Sequence, residues 1–129
     1  DLRVRLGRLC DEPTRQAAAW LRPHLETTAP VVAGLPEQDP SAREPILVRL
    51  AEQLAHLTIA TLLLEEADDL AGASGSHRKL LVAAAYARRW LWRGPRLATH
   101  RAAQEWLEAL VDWRPVPASA ALAVLPPEG

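Results

Sequence analysis

Apolar residues recur along this chain at steps of three and four, the period of one face of an α-helix, and four stretches carry the pattern. The first spans about Thr14 to Ala33, with Ala17, Trp20, Leu21, Leu25 and Val32 set against Arg15, Arg22 and Glu26. Pro23 and Pro30 fall inside it and predict a kink or a break into two short helices, because proline lacks the amide that bonds four residues back. A connector rich in turn formers, Gly34 to Pro40, leads to a second helix predicted to run to about Leu70, which makes it roughly 40 Å long. Ser41 and Glu44 have the spacing of a capping box, which would leave Pro45 in the first turn. Leu47, Leu50, Leu54, Leu57, Thr61 and Leu64 form the seam of this helix. Between Leu57 and Leu64 the polar face disappears, which predicts burial on all sides.

The turn Gly72 to Ser76 offers Ser74 or Ser76 as the next N-cap. A third helix follows from about His77 to Arg93, with Leu80, Ala84, Ala87 and Leu91 on one face and Ala83 and Ala85 adding room for a close neighbour. Gly94 and Pro95 stop it. The fourth helix, about Arg96 to Trp113, turns Ala103, Trp106, Leu107, Leu110 and Trp113 inward and Arg101, Glu105, Glu108 and Asp112 outward. Beyond Pro115 the segment is bracketed by prolines, and its apolar patch, Ala120 to Leu125, reads as an extended strip laid on the body. Short connections between such helices predict an all-α chain folded as an antiparallel four-helix bundle, with a kinked first helix and an extended C-terminal tail. One domain over residues 1–129 accommodates this, with a lead-in segment at 1–12 and the tail at 114–129.

Composition and charge sharpen the picture. The hydrophobic fraction is 49% but aromatic residues are only 5%, with no phenylalanine, so the core is aliphatic. A formal net charge of -1 gives no global pull toward nucleic acid or an anionic membrane. Cys10 stands alone, which excludes an internal disulfide and a thiolate metal cluster. No apolar signal core opens the chain, and no run approaches the roughly 18 apolar residues of a membrane span, so the expected setting is cytoplasmic. The absence of methionine and the start at Asp1 predict a domain excised from a longer protein.

Candidate chemistry is sparse. Glu65, Glu66, Asp68 and Asp69 close the long helix, where the macrodipole disfavours negative charge, and His77, Arg78 and Lys79 open the next, where it disfavours positive charge. The turn between them should bring the two groups together as surface pairs. Glu52 and His56 lie four apart on one face, but no second pair of this kind supports a metal centre, and Glu-x-x-His spacing is missing. There is no nucleophile elbow and no phosphate-cradling loop, so no self-contained active site is visible and no catalytic residue is assigned. The most suggestive run is ARRWLWRGPR, in which Arg88, Arg89, Arg93 and Arg96 interleave with Trp90 and Trp92. Cations beside stacking rings suit nucleic acid or an acidic partner. They equally suit the last turn of a helix, where arginine complements the dipole.

Residues 46 to 93, a long apolar helix with a leucine-rich end, an acidic turn and a helix bearing Lys79, Ala83, Ala84 and Ala87, resemble the C-terminal helical region of the acyl-CoA dehydrogenase family. The resemblance implies a parent flavoprotein in which such bundles hold subunits together beside FAD. Neither a glycine-bearing flavin contact nor a placed catalytic glutamate is found, so no cofactor is assigned to this chain. The expected role is therefore non-catalytic: packing against the rest of a parent or self-association, with the Arg/Trp run as the alternative, a nucleic-acid or acidic-partner contact.

Overall fold

The computed structural model describes residues 1–92 and 104–127. Among them every regular element is helical: α1 (Leu2–Leu6), α2 (Glu12–Gly34), a 3-10 turn (Leu35–Glu37), α3 (Pro40–Ser74), α4 (Arg78–Trp90), α5 (Leu107–Val111) and α6 (Ala118–Val124). The chain is all-α.

Helix α2 runs through both of its prolines as one 23-residue element, so the break into two helices does not occur. Each proline removes one amide and frees the carbonyl four residues back. Pro23 and Pro30 both sit on the exposed side, where water can take up those carbonyls. Asp11 caps the start, accepting from the Thr14 amide at 3.0 Å and from its hydroxyl at 2.8 Å. Ala17, Ala18, Leu21 and Leu25 are buried as the spacing requires, whereas Val32 is 42% exposed and lies past the edge of the core.

Helix α3 is longer than expected at both ends. Asp39, not Ser41, is its N-cap, and it is Asp39 that accepts from the Ser41 amide. Pro40 therefore takes the first helical position, where proline is favoured, and Pro45 lies beyond the first turn. The helix continues through Gly72 and Ser74 to Gly75, whose φ of 68° supplies the left-handed residue that ends it. At 35 residues it spans about 52 Å. Of the predicted seam, Leu50, Leu57, Thr61 and Leu64 are buried and Leu54 is half-buried, whereas Leu47, near the start of the helix, is exposed. The Thr61 hydroxyl donates to the Leu57 carbonyl at 2.8 Å, so the buried polar group is satisfied within the helix.

The middle of α3 is not buried on all sides. Ile59 is 41% and Leu62 is 42% exposed, although Leu57 two residues earlier is fully buried. By length and composition Pro40–Ser74 is also apolar enough to cross a membrane, which the sequence pattern did not lead us to expect. Only 22% of its most apolar stretch is buried, so the helix is more apolar than its packing requires.

Helix α4 follows its predicted face closely: Leu80, Ala84 and Ala87 are buried, as are Leu91 at its C-cap and the neighbouring Ala83. Its N-cap is His77, whose side chain makes no capping bond, and neither Ser74 nor Ser76 takes that role. Ser76 is used elsewhere. Its hydroxyl accepts from the Val116 amide at 3.4 Å, and the Val116 carbonyl accepts from the His77 amide at 2.9 Å. This pair of bonds pins the C-terminal segment to the α3–α4 turn.

The tail is helical rather than extended. Helix α6 packs along α4 and buries Ala121 and Val124. Of the helix predicted over Arg96 to Trp113, residues 96–103 lie outside the described residues, as do the Gly94–Pro95 stop signal and Ala103. Its remaining part includes the short α5, which buries Ala109; Trp106 and Leu110 are half-buried against the core as predicted, whereas Leu107 and Trp113 lie outside, contrary to the predicted face. The end of α5 explains the difference. Arg114 donates from its amide to the Ala109 carbonyl at 2.9 Å and Trp113 to that of Leu110 at 3.4 Å, the two bonds of a Schellman turn. The turn puts Trp113 at the left-handed position, φ 58°, and swings its ring out of the core.

The lead-in segment also contributes. Leu6 and Leu9 join the core, and Arg5 clamps Glu65 through two bonds, 2.7 and 2.5 Å.

Candidate interaction surface

Lys79 and Glu66 pair at 2.7 Å, so the charge groups around the α3–α4 turn meet there as expected. The other acids go elsewhere. Glu65 takes Arg5, and the Asp68 carboxylate accepts from the amides of Cys10 (2.9 and 3.0 Å) and Asp11 (2.7 Å). Because α3 extends a further turn, these acids lie back from its C-terminus, where the opposing dipole weakens. They face α1 and the start of α2 instead. His77 reaches the same place, its Nε2 donating to Asp11 at 3.2 Å. Burial alone would raise the Asp11 carboxyl. The Thr14 hydroxyl and amide bonds, with His77, outweigh it and hold Asp11 below the usual carboxylate range.

His56 pairs with neither Glu52 nor a metal-ligand set among the described residues. Its Nδ1 shares a 2.7 Å hydrogen bond with the Tyr86 hydroxyl, and its ring stacks on Trp90 at 5.0 Å and 12°. Burial pushes the Tyr86 phenol upward. This three-ring contact crosses the α3–α4 seam and had no signature in the sequence, since 30 residues separate His56 from Tyr86.

The Arg/Trp run divides. Arg88 donates from Nη1 to the carbonyls of Val124 (3.1 Å) and Leu125 (3.5 Å), neutralising the C-terminal end of α6. Its guanidinium lies 5.0 Å from the centre of the Trp92 ring, and burial lowers its pKa from the usual arginine value. Arg89 lies 5.3 Å over the ring of Trp90, and both residues are exposed. Arg93 and Arg96 fall outside the described residues. The structure thus brings Arg88, Trp92, Arg89 and Trp90 to one helix end, with Arg88 already engaged inside the protein.

The larger feature is the outer face of α3. Val48, Ala55 and Leu62 recur at seven residues, with Ala51 and Ile59 between them, and all five are exposed. Helical geometry sets this strip opposite Leu50, Leu57 and Leu64, on the side that a solvated helix fills with polar residues. Val48 is 65% exposed. Across the seam α4 adds exposed Val82 and Trp90. Apolar residues at this spacing are the pattern of a helix that meets another helix.

No family model matches the chain, and no curated protein or solved structure matches it.

Proposed function

We propose that this chain is a non-catalytic helical bundle of the antiparallel four-helix kind, cytoplasmic in setting, whose role is association with a second copy of itself through the outer face of α3. The observation that carries the proposal is the exposed strip of Val48, Ala51, Ala55, Ile59 and Leu62 on a helix whose opposite face already fills the core. Seven-residue spacing suits self-pairing, because a twofold contact needs one patch that complements itself. The strip centres on Ala55, a small residue that permits close approach at the axis. In the same proposal the parent is an acyl-CoA dehydrogenase-like flavoprotein that binds FAD outside this chain, supported by the residue pattern over 46 to 93.

The Arg/Trp run supports a nucleic-acid role less well, because Arg88 is engaged with Val124 and Leu125. Ala55→Cys in a Cys10→Ser background tests the proposal. Oxidation should yield a disulfide-linked dimer, since the residue nearest the axis meets its own copy. Exclusive recovery of monomer would count against it.

A further inference from the structure

A groove of about 590 Å³ opens between the C-terminal half of α2, the N-terminal half of α3 and the end of α4. It lies on the side of α3 away from the proposed association strip, so it stands independently of that proposal. Its volume is in the range of small-molecule sites. Leu50 and Leu91 are buried at its base, half-buried Ile46 extends the apolar floor, and Trp92 forms one wall. The Arg88 guanidinium, itself tied to α6, lies over the Trp92 ring at 5.0 Å from its centre.

Two lining side chains have unused polar capacity. Neither Arg49 nor Gln53 makes a hydrogen bond or ion pair among the described residues. They are four apart on α3, hence neighbours on one face. Arg49 is exposed and Gln53 half-buried, which places the guanidinium at the mouth and the amide further in. Among the described residues no carboxylate lines the groove to neutralise Arg49. Guanidinium and amide donors side by side match the two oxygens of a carboxylate, while Ile46, Leu50 and Leu91 below them are hydrocarbon and the Thr27 and Thr28 hydroxyls on the α2 side are bonded to the His24 carbonyl.

We infer that this groove binds a monocarboxylate with an aliphatic body, the head group at Arg49 and Gln53 and the chain over Ile46, Leu50 and Leu91 against Trp92. Both parts are required, since an exposed guanidinium alone contributes little.

Decanoate, decanol and decylamine, each below its micelle concentration, provide the test, with tryptophan fluorescence and calorimetry as readouts on the whole chain. Decanoate should bind saturably at one site and perturb Trp92, the neutral and cationic analogues binding more weakly. Arg49→Gln should weaken decanoate by about fivefold and leave decanol unchanged, as expected for a solvent-facing ion pair. Gln53→Leu should weaken decanoate and strengthen decanol, and circular dichroism would confirm that both variants keep their helices. Equal affinity for decanoate and decanol, or an Arg49→Gln variant that binds decanoate as well as the original, would overturn the inference, as would no saturable decanoate binding.

Discussion

Arg88 donates to the carbonyl of Val124 at 3.1 Å, joining the middle of the molecule to the last turn of its final helix. The bond is made by a charge to a helix-end carbonyl with no other partner among the described residues, the stronger kind of protein hydrogen bond. Arg88→Met keeps the aliphatic stem and removes the donors. It should cost about 1 to 2 kcal/mol in urea unfolding and raise amide exchange through Ala118–Val124 first. Unchanged stability together with unchanged exchange in α6 would show that the contact is incidental.

Asp11 predicts a pH dependence with a definite sign. Its carboxyl is held below the usual range in the folded state, so the stabilisation is complete above the ordinary aspartate value and fades as pH falls through the folded one. Asp11→Ala should therefore cost about 0.5 to 2 kcal/mol at neutral pH, the usual loss of an N-cap. The gap between variant and original should narrow below about pH 4. A gap that widens on acidification would mean that the Thr14 and His77 contacts are not what holds Asp11.

Two leucines on α3 separate its faces. Leu57 is fully buried, and Leu57→Ala should cost about 2 to 5 kcal/mol through lost burial and the cavity left behind. Leu62 is 42% exposed, and Leu62→Ala should stay within about 0.5 kcal/mol when measured at high dilution. Thermal and denaturant unfolding of the two variants would check the assignment, and comparable losses would refute it.

Trp113 occupies a left-handed backbone position at 80% exposure, its ring 4.2 Å from the Arg78 guanidinium. Substitution by alanine removes the ring contact and keeps the unfavourable φ, whereas glycine removes both. Trp113→Gly should therefore be more stable than Trp113→Ala by about 1 kcal/mol, the usual cost of a left-handed residue with a Cβ. Equal stabilities would contradict the Schellman assignment.

The parts of this fold that the sequence disclosed are those with a long, one-sided period. The face of α4 is the clearest, because Leu80, Ala84, Ala87 and Leu91 stand against charged neighbours. On α3 the same signal failed for a physical reason: apolar residues occupy both faces, and periodicity cannot distinguish a helix buried all round from one with an uncovered apolar side. Leu62 and Ile59 decide it only in three dimensions. Helix α1 is five residues long, too short to show a period, and α6 lay hidden between prolines. The polar clamps are the least legible. Asp68 and Cys10 are 58 residues apart and His77 and Asp11 66, and each contact depends on where α3 ends, one turn beyond the predicted stop. The Arg/Trp run was visible as composition, but Arg88 found its partner in a tail whose helix was not foreseen.

Sedimentation velocity over a dilution series, comparing the original chain with Leu62→Glu, tests the central claim most directly. Leu62 is exposed, so a glutamate there should leave the helical spectrum unchanged while setting an unpaired carboxylate against the apolar strip of the second copy, opposite its Val48, in the proposed twofold contact. The account predicts a concentration-dependent dimer for the original and a monomer at every concentration for the variant. A monomeric original, or a Leu62→Glu variant that dimerises equally well, would contradict it.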